Sequence, residues 1–129
     1  GSVAEARALA AAALEAMRAR HARWFTGDEA MFAGLDDIFL SLEGVGQWAA
    51  YAWLAHPDGG RLEREAAIAK MLGRRKWWVQ DEGLALFLAV DRLLPGWPEL
   101  AFAVPALGAT AILERAVERS EPGGDATSP

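Results

Sequence analysis

Cysteine is absent from these 129 residues, histidine occurs twice and tyrosine once. Without cysteine there is no disulfide, no thiol nucleophile and no zinc knuckle, and the redox compartment is left open. Neither His21 nor His56 has a second histidine one helical turn away. A self-contained catalytic zinc site, which needs three protein ligands, is therefore not expected. No nucleophile elbow, phosphate loop or His-Glu-x-x-His occurs. A long uncharged run is missing as well. The greasiest stretch, residues 84–113, is broken by Asp91, Arg92, Pro95, Pro98, Glu99 and Pro105. No window reaches the roughly 18 apolar residues of a membrane span. Positive charge is in deficit, with 13 Lys and Arg against 18 Asp and Glu and a net charge of −5. That balance argues against broad nucleic-acid binding, which requires a basic surface to displace counterions. Lysine itself is scarce, with two against eleven arginines, a bias expected of a GC-rich bacterial genome.

What is present is greasy and helical. Hydrophobic residues make up 53% of the chain and charged ones 24%, an ordinary globular balance for one core. No strand pattern appears. The expected architecture is all-α, an irregular antiparallel bundle of five to seven helices over residues 1–119, followed by a disordered tail of Pro, Gly, Ser and Asp over 120–129. Gly1-Ser2 reads as a cleavage scar, so the native start is expected upstream.

The Ala-rich stretch 2–25 should form the first helix, with Ser2-x-x-Glu5 as a capping box and Val3, Leu14, Met17, His21 and Trp24 near a 3.6 period. Thr26-Gly27-Asp28-Glu29 suggests a second box, opening a short helix that ends near Gly34. Asp36 or Asp37 then caps a longer helix reaching Ala55, stopped by His56-Pro57-Asp58-Gly59-Gly60. Further helices are expected over 62–72, ending at Gly73, and over 81–94. A short piece has Pro98 in its first turn, and a last helix covers 105–119.

Charge inside apolar sequence is the main functional signal. The dipeptide Glu-Gly occurs twice, in Leu42-Glu43-Gly44-Val45-Gly46-Gln47-Trp48 and in Trp77-Trp78-Val79-Gln80-Asp81-Glu82-Gly83-Leu84. A buried carboxylate must find a cation, a proton or donors, because an unpaired one costs several kcal/mol or more. Asp36, Glu43, Gln47 and Tyr51, with Leu40 between the first two, follow at spacings of three and four, which places them on one face of a helix apolar nearly all round. Such a helix is expected to be central. Glu43 either bonds an arginine of the first helix or of helix 62–72, or is held for metal or acid–base work, or reaches solvent. Asp81 and Glu82 are explained as acids at a helix start. Asp91 and Arg92 suggest a structural ion pair or a snorkelling edge. His21 reads as a satisfied edge histidine, and His56 as a C-terminal helix residue. Arg74-Arg75-Lys76 before Trp77-Trp78 reads as a solvated turn anchored by tryptophan, not as a nucleic-acid contact.

The stretch Leu42-Glu43-Gly44-Val45-Gly46-Gln47-Trp48-Ala49-Ala50-Tyr51 resembles the downstream helix of gluzincin-type zinc metallopeptidases. In that group a Glu followed by Gly, small residues and an aromatic supplies the third zinc ligand, and an earlier His-Glu-x-x-His helix supplies the first two. The resemblance implies Glu43 as a zinc ligand, with Glu82 as the competing assignment. Because this chain has no His-Glu-x-x-His, it also implies that the chain is the C-terminal piece of a longer protein, with zinc bound only together with upstream ligands.

The leading expectation is a helical domain with no cofactor or catalysis of its own, serving an upstream domain of the same protein. One alternative is a small-molecule bundle in which Gln47, Trp48, Tyr51, Trp77 and Trp78 bind an apolar ligand, with Trp53 in the wall and Glu43 or Asp81 reading a cation. Another is a self-associating module, in which the Ala-rich first helix packs on its copy.

Overall fold

The computed structural model describes residues 2–72 and 77–119. Among them are six α-helices and no strand: α1 (Val3–Trp24), α2 (Met31–Ala55), α3 (Arg64–Leu72), α4 (Trp78–Leu93), α5 (Trp97–Ala101) and α6 (Ala109–Arg119). The all-α bundle is thus present. The Gly73 stop, the Arg74-Arg75-Lys76 run and the 120–129 tail lie outside the described residues.

The capping box at the start of α1 forms as its residues dictate. Ser2 Oγ accepts from the Glu5 backbone N–H at 3.1 Å, and Glu5 Oε2 accepts from the Ser2 N–H at 2.6 Å. Ala10, Leu14 and Met17 give α1 a buried stripe that packs against α4 and α6. Phe25 ends the helix, and Gly27, at φ +58°, turns the chain in the left-handed region that glycine tolerates best.

Thr26 makes no side-chain cap, and only a 3-10 turn, Gly27–Glu29, forms there. The next helix starts at Met31 and runs unbroken through Gly34, Asp36 and Asp37. Neither aspartate is a cap of its own helix; each finds a tertiary partner, so nothing forces a break. The chain then turns back over the end of α2, with Gly60 N–H bonded to Trp53 O and Leu62 N–H to Leu54 O, both at 2.9 Å. α4 starts at Trp78, three residues earlier than expected. α6 starts at Ala109, after a connection that contains a cis Val104–Pro105 bond.

The main core joins α1, α4, α5 and α6 to one side of α2, through Leu14, Leu40, Phe87, Val90, Trp97 and Leu113. Trp97 is fully buried. Its ring meets Trp48 edge-on at 4.9 Å and Phe87 at 4.6 Å, and its Nε1 donates to Asp91 at 3.2 Å. Asp91 is thus held by an indole. A smaller cluster of Tyr51, Ala67 and Leu84 ties α3 to α2 and α4. α2 was expected to be central, and it packs against α3, α4 and α6. One of its faces is nevertheless open from end to end.

Candidate functional site

The two Glu-Gly dipeptides meet. A Cβ built on Gly83 would lie 2.7 Å from Gly44 Cα and 2.9 Å from Gly44 N, and one on Gly44 would lie 2.5 Å from Phe87 Cδ2. The glycines therefore mark the point where α2 and α4 cross with no side chain between them. This close approach is what offsets the roughly 1 kcal/mol of helix propensity that each glycine costs.

The carboxylates beside them part company. Glu82, on α4, accepts from Arg20 Nη1 at 3.1 Å, and Arg20 Nη2 reaches Asp36 Oδ2 at 2.7 Å. His21 Nε2 lies 2.7 Å from the same Asp36 oxygen, and the Arg20 guanidinium stands 5.4 Å over the Trp78 ring. One arginine of α1 therefore clamps α2 to α4, with the planar fork matched to two carboxylates. Burial works against the Arg20 charge, but the Asp36 hydrogen bond and the charges of Glu82 and Asp36 outweigh it, so its pKa is raised above the ordinary guanidinium value. Glu43, by contrast, has Gln80 of α4 as a partner, whose Nε2 donates to Oε2 at 3.1 Å. The arginine expected for Glu43 thus serves the other Glu-Gly.

Asp37 and Ser41 complete the inward polar groups of α2. Asp37 Oδ1 accepts from Thr110 N–H at 2.8 Å and from Thr110 Oγ1 at 2.6 Å, and Ser41 Oγ accepts from Ala109 N–H at 2.7 Å. These two side chains cap the N-terminus of α6 from another helix, satisfying donors that α6 itself leaves open. A Cβ on Gly108 would collide with Asp37 Oδ2, so glycine lets the chain enter α6 under that carboxylate.

Of the residues proposed to bind a ligand, Tyr51 is buried in the small core cluster, and Gln47 and Trp48 are half-buried. Trp77 and Trp78 stand exposed at the start of α4. Trp48 lines a cavity of about 320 Å³ with Ala49, Ala52, Trp53 and His56 at the C-terminal end of α2. A second cavity, about 400 Å³, opens between α2 and the α5–α6 connection, lined by Ile38, Leu42, Val45, Phe102 and Leu107 together with Asp37 and Ser41.

As a zinc ligand, Glu43 gains no company. No group of three His, Cys, Asp or Glu side chains converges among the described residues, His21 is engaged by Asp36, and His56 lies at the far end of α2. The described residues bring no second ligand to Glu43.

The outward face of α2 is the feature that reading by charge missed. Its three charged side chains, Asp36, Asp37 and Glu43, are all bonded to other helices. On the opposite side Met31, Leu35, Ile38 and Leu42 are exposed, and Gly46, Ala49 and Trp53 continue the line, also exposed. The spacings of four and three are those of a coiled-coil seam, and this signal was available in the sequence. No helix among the described residues is long and apolar enough to cross a membrane. No protein family model, no curated protein and no solved structure matches this chain.

Proposed function

We propose that this chain is a helical interaction module, with no catalytic centre of its own, that works by docking through the outward face of α2. The single observation that supports the reading is the inversion of this helix: every charged group is turned inward and bonded, while the open side is apolar along its whole length. Contiguous exposed apolar surface of this extent marks an interaction site. Beneath the face, Arg20 bonds both Asp36 and Glu82 and so ties three helices into one framework. The metallopeptidase-like reading keeps Glu43, with Glu82 as the competing assignment, and draws no further ligand from the described residues.

The absence of cysteine makes the test direct. In a Leu42→Cys chain, maleimide labelling is measured in the expressing cell and in dilute purified protein. Slow labelling in the cell and fast labelling after dilution is the expected result. Equal and fast labelling in both would overturn the docking function.

A further inference from the structure

The outward seam of α2 is symmetric about Leu42. Ile38 and Gly46 lie four residues to either side, Leu35 and Ala49 seven, and Met31 and Trp53 eleven. Bulk is distributed unequally across that centre: branched or long side chains occupy the N-terminal half, while Gly46 and Ala49 occupy the C-terminal half. A second copy laid antiparallel, Leu42 upon Leu42, sets Ile38 of each chain over Gly46 of the other and Leu35 over Ala49. Met31 then falls on Trp53, beside the cavity of about 320 Å³ that Trp48, Ala52 and His56 help to line. A thioether against an aromatic ring is a favourable contact. We infer that the chain forms a two-fold homodimer by antiparallel pairing of α2, with Leu42 on the axis. This rests on the reading of that face as a docking surface.

Three further observations select a second copy. A Cβ at Gly46 would meet nothing within 4 Å in the single chain, so the hole opposite Ile38 is open. The seam, with the flanking Phe32, Phe39 and Phe102, exposes on the order of 900 Å² of residue surface, the most that the pairing can bury, against about 800 Å² buried per partner in a stable complex. The seam also carries no charge, so two chains of net charge −5 can meet there without burying like charges against each other. Parallel pairing would stack Ile38 on Ile38 and leave Gly46 facing Gly46 across a gap. An isologous antiparallel contact fills both halves at once. The charges that precede the seam in sequence are Asp28 and Glu29, both exposed, which suit an anionic lipid surface poorly.

Single-cysteine chains read the register. At tens of micromolar protein, a Leu42→Cys chain treated with diamide should give a covalent dimer. An equal mixture of Met31→Cys and Trp53→Cys chains should give the mixed dimer. Met31→Cys alone should give almost none, because the two Met31 positions would stand about 33 Å apart at 1.5 Å per residue. Efficient crosslinking of Met31→Cys to itself would mean parallel pairing and would overturn the inference, as would a strict monomer in sedimentation at the same concentration. If the Leu42→Cys thiol is shielded in the cell while the purified chain stays monomeric, the docking function stands and the second copy does not. Gly46→Leu separates assembly from folding. In the isolated chain the new side chain enters open space and raises helix propensity, so the melting temperature should hold or rise. Filling the hole meant for Ile38 should weaken dimerisation by about tenfold or more. Unchanged dimerisation in that variant contradicts the register.

Discussion

Leu40 and Leu42 stand two residues apart on the same helix, one fully buried against the core and the other 70% exposed. The contrast extends along all of α2. Its inward side carries every charge the helix has, yet it is closed. Its outward side carries none, yet it is open. The usual expectation, that charged residues mark the solvent face, fails because each carboxylate has a partner within the fold: Arg20 for Asp36, Thr110 for Asp37 and Gln80 for Glu43. Once such partners exist, polar groups can be inside at little cost. What then faces outward is free to serve another surface. Inward residues should therefore govern stability and outward ones assembly, and four substitutions break or sharpen that division.

The largest effect is expected at the helix crossing. Gly83→Ala places a methyl against the backbone of Gly44, which cannot swing aside as a side chain would. Overpacking of this kind costs about 1–3 kcal/mol or more and exceeds the roughly 1 kcal/mol of helix propensity gained. A net loss of about 2 kcal/mol should appear as a lower midpoint in urea. An unchanged midpoint would mean that α2 and α4 do not touch at Gly44 and Gly83.

Next comes the clamp. Arg20→Met keeps the aliphatic stem but leaves Glu82 without its cation and Asp36 with His21 alone, and the two carboxylate side chains are 29% and 11% exposed. Removing one partner of a fully buried pair costs about 3–5 kcal/mol, and partial solvent access lowers this to about 1–2 kcal/mol. Arg20→Lys should recover less than half, because a single ammonium cannot bridge two carboxylates in fork geometry. Full recovery by lysine would show that only the charge matters.

The helical class, the capping box of α1 and the shared face of Asp36, Glu43, Gln47 and Tyr51 were legible in the sequence, because each rests on spacing within one helix. The start of α2 was not. Asp36 and Asp37 carry the residue type of an N-cap, and only the position of α1 and α6 in space reveals that both are used across helices. The same limit explains the exchange between the two glutamates. Which of them meets Arg20 depends on where α1 lies against α4, a long-range fact that local pattern does not contain. Gly44 and Gly83 could be suspected of close packing one at a time, but that they pack on each other is a property of the crossing.

Asp37→Ala tests the across-helix cap and should cost about 1 kcal/mol, the typical value of an N-cap. Asp37→Asn should retain most of that, since an amide oxygen can accept from the Thr110 N–H as well. The fraying should be local, visible as faster amide exchange at Ala109 and Thr110 with little change in α1. Equal acceleration throughout the chain would instead mean that α6 is not a separable unit.

The smallest effect on folding belongs to the outward face. Leu42→Gln exchanges an exposed apolar side chain for a polar one of similar length, and surface changes of this kind stay within about 0.5 kcal/mol. The same substitution places two amides on the axis of the paired helices. The part of the stability that does not vary with protein concentration should therefore be unmoved, while the part that rises with concentration should vanish. Thermal melts over a hundredfold concentration range separate the two. If Leu42→Gln lowered the melting point equally at every concentration, Leu42 would belong to the core of the single chain, and the division between the faces of α2 would be lost.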